Sequence, residues 1–227
     1  MGDLSSDARV GALVTERPGR ARVFEQYGID YCCGGKKTLA AACVEKGVDA
    51  ADVLAALAAV ETADPGEEDW TRASMTHLCD HIEATHHAYL RDELPRLEGL
   101  VDKVARAHGA GHPELSEVQE TYGALAAELR DHMEKEEVVL FPAIRRMEAA
   151  GLRAPLVAPI EVLEHEHDSA GRALERLREL TGGYEPPQGA CNSYRAMLDG
   201  LEQLERDMHT HIHEENNILF PRALAGV

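Results

Sequence analysis

Aromatic residues are scarce, at 4% of the chain, and runs of β-branched residues are few. Strands draw on both, so the shortage argues against a sheet protein. No apolar stretch approaches the roughly 20 residues that a membrane-spanning helix needs. The opening MGDLSSDARV lacks the charged-then-apolar order of a secretion signal. Basic residues are also short, 23 against 41 acidic, for a formal net charge of -18. Such a surface repels nucleic acid and anionic membranes, so neither is expected as a partner. The five cysteines are an odd number without the spacing of a disulfide framework, which points to reduced thiols in the cytoplasm.

What fills the chain instead is alanine, leucine and glutamate, the composition of an all-α protein. Residues 1–60 read as short helices separated by turns. Pro18 and Gly19 open a segment that Gly28 can end, Thr38 can cap a helix that Gly47 stops, and Asp49 starts another. This unit is too small to bury a sizeable core alone, and is expected to lean on the rest of the chain or on a second copy, as in a homodimer. Residues 61–70, ETADPGEEDW, have the proline, glycine and charge of a linker. From 71 to 227 come four long helical patterns, roughly 71–107, 114–149, 156–181 and 188–224, joined by short breaks. That is the signature of an up-down-up-down four-helix bundle.

Twelve histidines stand out, and some of them repeat. HMEKEEVVLFP from His132 and HIHEENNILFP from His211 both read H-x-x-x-E-x-x-x-L-F-P, at an offset of 79 residues. A fainter echo at an offset of 80 pairs His87, Leu94 and Leu97 with His167, Leu174 and Leu177. Residues four apart share a helix face. His132 and Glu136 fall on the seam Leu125, Leu129, His132, Glu136, Val139, Ala143, Met147, and His211 and Glu215 on Tyr194, Leu198, Leu201, Met208, His211, Glu215, Ile218. Both pairs take positions where leucine would normally face the bundle centre. His167 lies on the seam of the third helix. On the first helix His86 fits the apolar residues before it and His87 those after it. The repeat match favours His87, which leaves room for either a kink or a change of helical phase nearby.

Buried glutamate is costly unless it is paired or bound to metal. Four histidines and two carboxylates are too many for a tetrahedral zinc site, whereas two bridging glutamates with two histidines per metal describe a dinuclear iron centre. The L-F-P tails read as core packing and a helix bend or end. His77, His81, His108, His112, His209 and His213 read as surface residues, with His81 and His213 able to support the ligands from behind.

Cys32 and Cys33, in EQYGIDYCCGG, are adjacent and so poorly placed for a structural disulfide. Either they fill a tight turn as small apolar residues, or they form a reactive dithiol that meets nitric oxide, handles iron in transit or bridges two chains. Thiolate character would depend on Lys36, Lys37 and the helix start at Thr38. Cys43, Cys79 and Cys191 lie in helical patterns and read as structural.

With these motifs together, the four-helix part resembles a haemerythrin-like domain. YGIDYCCGGKKTL and the closing ENNILFPRAL are similar to the iron–sulfur cluster repair di-iron proteins, also called the repair of iron centres family. The resemblance covers nearly the whole chain. It implies a cytoplasmic, stress-induced protein that restores clusters damaged by nitric oxide or peroxide, with damaged iron–sulfur proteins as its clients. It also implies a non-haem di-iron centre with one or more oxygen bridges, held by His87, His132, His167, His211, Glu136 and Glu215. Two other activities fit the same residues: reduction of nitric oxide at the di-iron centre, and sensing of oxygen or nitric oxide.

Overall fold

Thr38 accepts a hydrogen bond from the Ala41 amide, and Asp49 from the Ala51 amide, so each of these side chains starts a helix as its position in the sequence suggests. In the computed structural model, which describes residues 4–60, 68–151 and 155–226, they open α3 (Leu39–Lys46) and α4 (Ala50–Ala59). Before them come α1 (Val10–Glu16) and α2 (Ala21–Gln26), the latter entered through a 3-10 turn at Pro18–Arg20. Gly28, at φ +64, closes α2 with the Ile29 amide reaching back to the Phe24 carbonyl. α1 carries no side-chain cap, which is why no start signal marks it in the sequence. Most of the expected linker at 61–70 lies at 61–67, outside the described residues.

The bundle has four long helices. α5 runs Met75–Ile82, a π turn at Glu83–His87, then Ala88–His108. α6 runs Glu114–Lys135, a π turn at Glu136–Leu140, then Phe141–Ala150. α7 is Val157–Leu180, and α8 runs Asn192–Glu214, a π turn at Glu215–Leu219, then Phe220–Ala225. Each helix packs against its chain neighbours, and α8 returns to α5, closing an up-down-up-down bundle. No strand occurs among the described residues, only an isolated bridge between Arg9 and Thr38.

The π turns have local causes. Pro142 and Pro221 have no amide hydrogen to give to the carbonyl four residues back, and their rings would clash with it. A widened turn just before each proline lets the helix continue. In α5 the Thr85 hydroxyl instead donates to the His81 carbonyl, 2.7 Å away. Each extra residue also rotates the helix face. Val139, placed on the buried seam by regular spacing, is therefore 54% exposed, while Leu140 and Ile144 take the core positions. The same shift buries His86 and His87 together, which settles the conflict of phase between them.

A polar layer divides the apolar interior. On one side Leu78, Ile82, Phe141, Ile144, Ile160 and Phe220 form one core. On the other, Leu90, Leu94, Leu125, Leu174 and Leu201 continue without a break into Val10, Phe24, Leu39 and Leu57 of the small N-terminal unit. That unit thus covers its apolar face with the bundle of its own chain, and burial of that face requires no second copy.

Candidate metal centre

The polar layer is built from all six residues singled out by the repeat. His87, Glu136, His211 and Glu215 bring one donor atom each within 4.8 Å of one another, and so do His132, Glu136, His167 and Glu215. Two sets of two histidines therefore share both glutamates. His87 Nε2 lies 3.2 Å and His132 Nε2 3.4 Å from Glu136 Oε2. His167 Nε2 and His211 Nε2 lie 3.1 and 3.3 Å from the two oxygens of Glu215. His132 Nε2 and His167 Nε2 face each other at 3.0 Å.

Both glutamates are fully buried, and neither carboxylate makes a hydrogen bond; the same is true of Nε2 on His87 and His211. Each carboxylate faces only imidazole nitrogens at ion-pair distance, and buried charge of this kind costs several kcal/mol, roughly, unless a cation between the members compensates it. Imidazole and carboxylate donors with both glutamates shared suit two iron ions. The residues present thus fit a dinuclear metal group.

Contacts behind the donors hold three of the four rings. His87 Nδ1 meets Glu137 Oε1 at 2.7 Å, His132 Nδ1 meets Glu166 Oε2 at 2.9 Å, and His167 Nδ1 meets Asn216 Oδ1 at 2.8 Å. Arg91 and Lys135 in turn pair with Glu137 and Glu166. Glu137 and Asn216 stand 79 residues apart, so the repeat extends one residue beyond the H-x-x-x-E motif. The phenylalanines of the L-F-P tails have a matched role, Phe141 lying parallel to the His87 ring and Phe220 to the His167 ring, with centroids 5.7 and 5.8 Å apart.

The electrostatics agree with this geometry. Burial would raise the Glu215 carboxyl, but His211 and His167 beside it outweigh burial and hold it well below the usual range. Burial would lower His132, but Glu136 holds it up at about 9. Glu215 is thus held in its charged form, and His132 keeps a proton that a cation can displace.

Several histidines differ from their expected places. His213 is buried, edge-on to the Tyr31 ring and 3.3 Å from the Thr15 hydroxyl, because the N-terminal unit docks over it. Burial pushes its pKa down to about 4. His77 is exposed, while His81, His108, His112 and His209 are half-buried.

Cys32 and Cys33 sit directly above the bundle. The backbone amides of Cys32, Cys33 and Gly34 all donate to the Asp30 carboxylate, at 3.0, 2.9 and 2.8 Å. Lys36 pairs with Glu164 and Lys37 with Glu45. The Cys33 thiol, burial and Asp30 all push Cys32 well above its ordinary pKa, so it stays protonated. Cys33 is half-buried, with its sulfur over Gly171, one turn along α7 from His167. The Cys32 carbonyl accepts from Asn217 Nδ2 at 3.0 Å. A cavity of about 90 Å3, lined by Cys32, Cys33, Lys36, Glu164, Asp168, Asn216 and Asn217, reaches from the thiols to the residue that holds His167. A larger one of about 450 Å3 opens on the other side of the cysteines, toward Glu25, Arg172 and His209. Cys43 and Cys79 are buried in helices, whereas Cys191 is exposed at the start of α8, 3.2 Å from His108 Nε2.

Comparison with known proteins agrees with this two-part layout. The Hemerythrin HHE cation binding domain matches residues 78–223, and a domain of unknown function, DUF542 or ScdA_N, matches residues 6–61. The chain is 39% identical over 217 residues to proteins named Iron-sulfur cluster repair protein YtfE from Yersinia pseudotuberculosis serotype IB (strain PB1/+) and Yersinia pestis (strain Pestoides F), covering 96% of each chain. With the HHE domain, the N-terminal domain and this identity along the whole length, the chain belongs to the haemerythrin-like iron–sulfur cluster repair family.

Proposed function

We propose that His87, His132, His167, His211, Glu136 and Glu215 hold two non-haem iron ions joined by an oxygen bridge, and that the protein supplies this iron to iron–sulfur clusters damaged by nitrosative or oxidative stress. The observation that carries the reading is the buried layer of six inward-facing donors, sorted into two histidine pairs that share both glutamates. The printed name of the relatives, iron–sulfur cluster repair protein, supports the same conclusion. Iron is here the cargo. Its clients are damaged cluster proteins of the cytoplasm, and no helix among the described residues is long and apolar enough to cross a membrane. The net charge of -18 disfavours nucleic acid as a partner.

The residues around the site divide the work. Glu136 and Glu215 would hold the cations between them, while Glu137, Glu166 and Asn216 fix the imidazole orientations. Cys33 is the thiol placed to take iron in transit. It is the more accessible of the two and borders the small cavity that reaches Asn216. Cys32, kept protonated, holds the turn through its backbone contacts to Asp30 and Asn217.

Reconstitution of a damaged cluster enzyme by the iron-loaded chain tests this reading. Recovery of enzyme activity is expected with the wild type and is expected to be lost in Glu136→Leu or Glu215→Leu. Full recovery with a chain lacking all six residues would overturn it.

A further inference from the structure

A second group of donors lies beside the six and shares none of them. His81 Nε2 is 3.4 Å and His86 Nε2 3.6 Å from the same oxygen of Glu214, and the three donor atoms lie within 4.8 Å of one another. His86 and Glu214 are 6% and 7% exposed. The His86 Nε2 and Glu214 Oε2 atoms are buried without a hydrogen-bond partner. The other ring nitrogen of His86 is fixed by Asp207 Oδ1 at 2.8 Å, the kind of backing contact that aims a metal-binding histidine. A simple ion pair would leave these inward-facing atoms poorly matched. A cation at their common centre would satisfy all three.

The location is as informative as the donors. The His86 ring lies parallel to that of His211, with centroids 5.0 Å apart and planes 3° from parallel. On the outer side, Trp70 covers His81 with centroids 4.2 Å apart, and the His81 side chain keeps 24% of its exposure. The cluster thus spans the distance between the surface and one edge of the dinuclear layer. Both elements that make it possible are local: the π turn that buries His86 beside His87, and Glu214 immediately before Glu215.

We propose that His81, His86 and Glu214 form a third, mononuclear site for a divalent transition metal, of the two-histidine, one-carboxylate type with open coordination positions. Its metal is Fe(II), held where iron enters or leaves the neighbouring pair. The choice of iron rests on the dinuclear reading of the six residues; the coordination by the triad does not. Binding involves no electron transfer; any proton on a coordinating ring nitrogen leaves to solvent as the cation takes its place.

Anaerobic titration of the full chain with isotopically enriched Fe(II), followed by Mössbauer spectroscopy, separates the two sites. The wild type is expected to take up three equivalents, two as a coupled pair and one as an uncoupled high-spin Fe(II). Glu214→Leu and His81→Phe are each expected to take up the coupled pair alone. His81→Phe keeps a ring against Trp70 at a half-exposed position, so it guards against a folding failure in the other variant. Uptake of only the pair by the wild type would overturn the proposal and leave the dinuclear reading standing. A third equivalent that persists in both variants would also overturn it, as would loss of the coupled pair in both. An uncoupled iron lost in both variants, with no coupled pair in the wild type, would support the new site and sink the dinuclear reading.

Discussion

The side-chain oxygen of Asn216 lies 2.8 Å from Nδ1 of His167, and the next residue, Asn217, holds the carbonyl of Cys32. Two consecutive residues of one π turn therefore grip the histidine–glutamate layer on one side and the cysteine turn on the other. Gly11 and Gly35 close around Asn217, and a Cβ on either would overlap its side-chain oxygen.

Gly35→Ala is accordingly expected to destabilise the chain by about 1–3 kcal/mol through overpacking. Adding Asn217→Ala removes the obstructing atom, so the double variant should be more stable than the sum of the two single losses predicts. Urea unfolding of the four proteins of the cycle measures this coupling. Strict additivity would show that Asn217 does not lock the N-terminal unit in place.

The contacts behind the donors predict graded metal loss. Glu166→Ala frees His132 Nδ1, and Asn216→Ala frees His167 Nδ1, so each should weaken iron retention by about 10–100-fold. Competition with a chelator reads the change. Unaltered retention in both would mean that ring orientation is fixed by packing against Phe220 and the helix faces instead.

Thiol labelling should follow exposure and protonation. Cys191 and Cys33 are accessible, whereas Cys32, Cys43 and Cys79 are buried. Burial, the Cys33 thiol and Asp30 also keep Cys32 protonated. Alkylation followed by mass spectrometry should modify Cys33 at least about ten times faster than Cys32. Equal rates would remove the distinction drawn between them.

Glu148 gives a pH-dependent stability effect away from the metal layer. Its carboxylate accepts from the Met75 and Thr76 amides at 2.8 and 2.9 Å, capping α5 from α6. Burial works to raise its pKa, but Thr76, the Met75 amide and Arg222 together hold it below the usual carboxylate value. A folded-state pKa below the unfolded one adds stability above the unfolded value, about 4.3, and loses it as pH falls through the folded one. Glu148→Ala should therefore cost about 1 kcal/mol at pH 7. The gap between variant and wild type should close in acid. A gap independent of pH would contradict the charged cap.

How much of this could be read from the sequence depended on whether burial was set within a helix or between parts of the chain. The six residues of the buried histidine–glutamate layer were legible because H-x-x-x-E repeats on a leucine seam for four of them and the echo at an offset of 80 residues pairs His87 with His167. The fit of His86 to one side and His87 to the other was a true sign of the π turn, and Val139 was misplaced because regular spacing runs straight through such a turn. His213 could not be read as buried, since Tyr31 and Thr15 come from nearly 200 residues away. The same holds for Asn217, whose partners are a cysteine turn and two glycines of the N-terminal unit. The lysines next to Cys33 looked activating in sequence but reach acidic partners instead.

Iron content together with the Mössbauer and optical spectra of the purified full chain tests the central claim most directly. The account predicts a magnetically coupled pair of irons per chain with an oxygen-bridge absorption band, lost in both Glu136→Leu and Glu215→Leu. A wild-type chain with only uncoupled iron, or a coupled pair that survives removal of both glutamates, would contradict it.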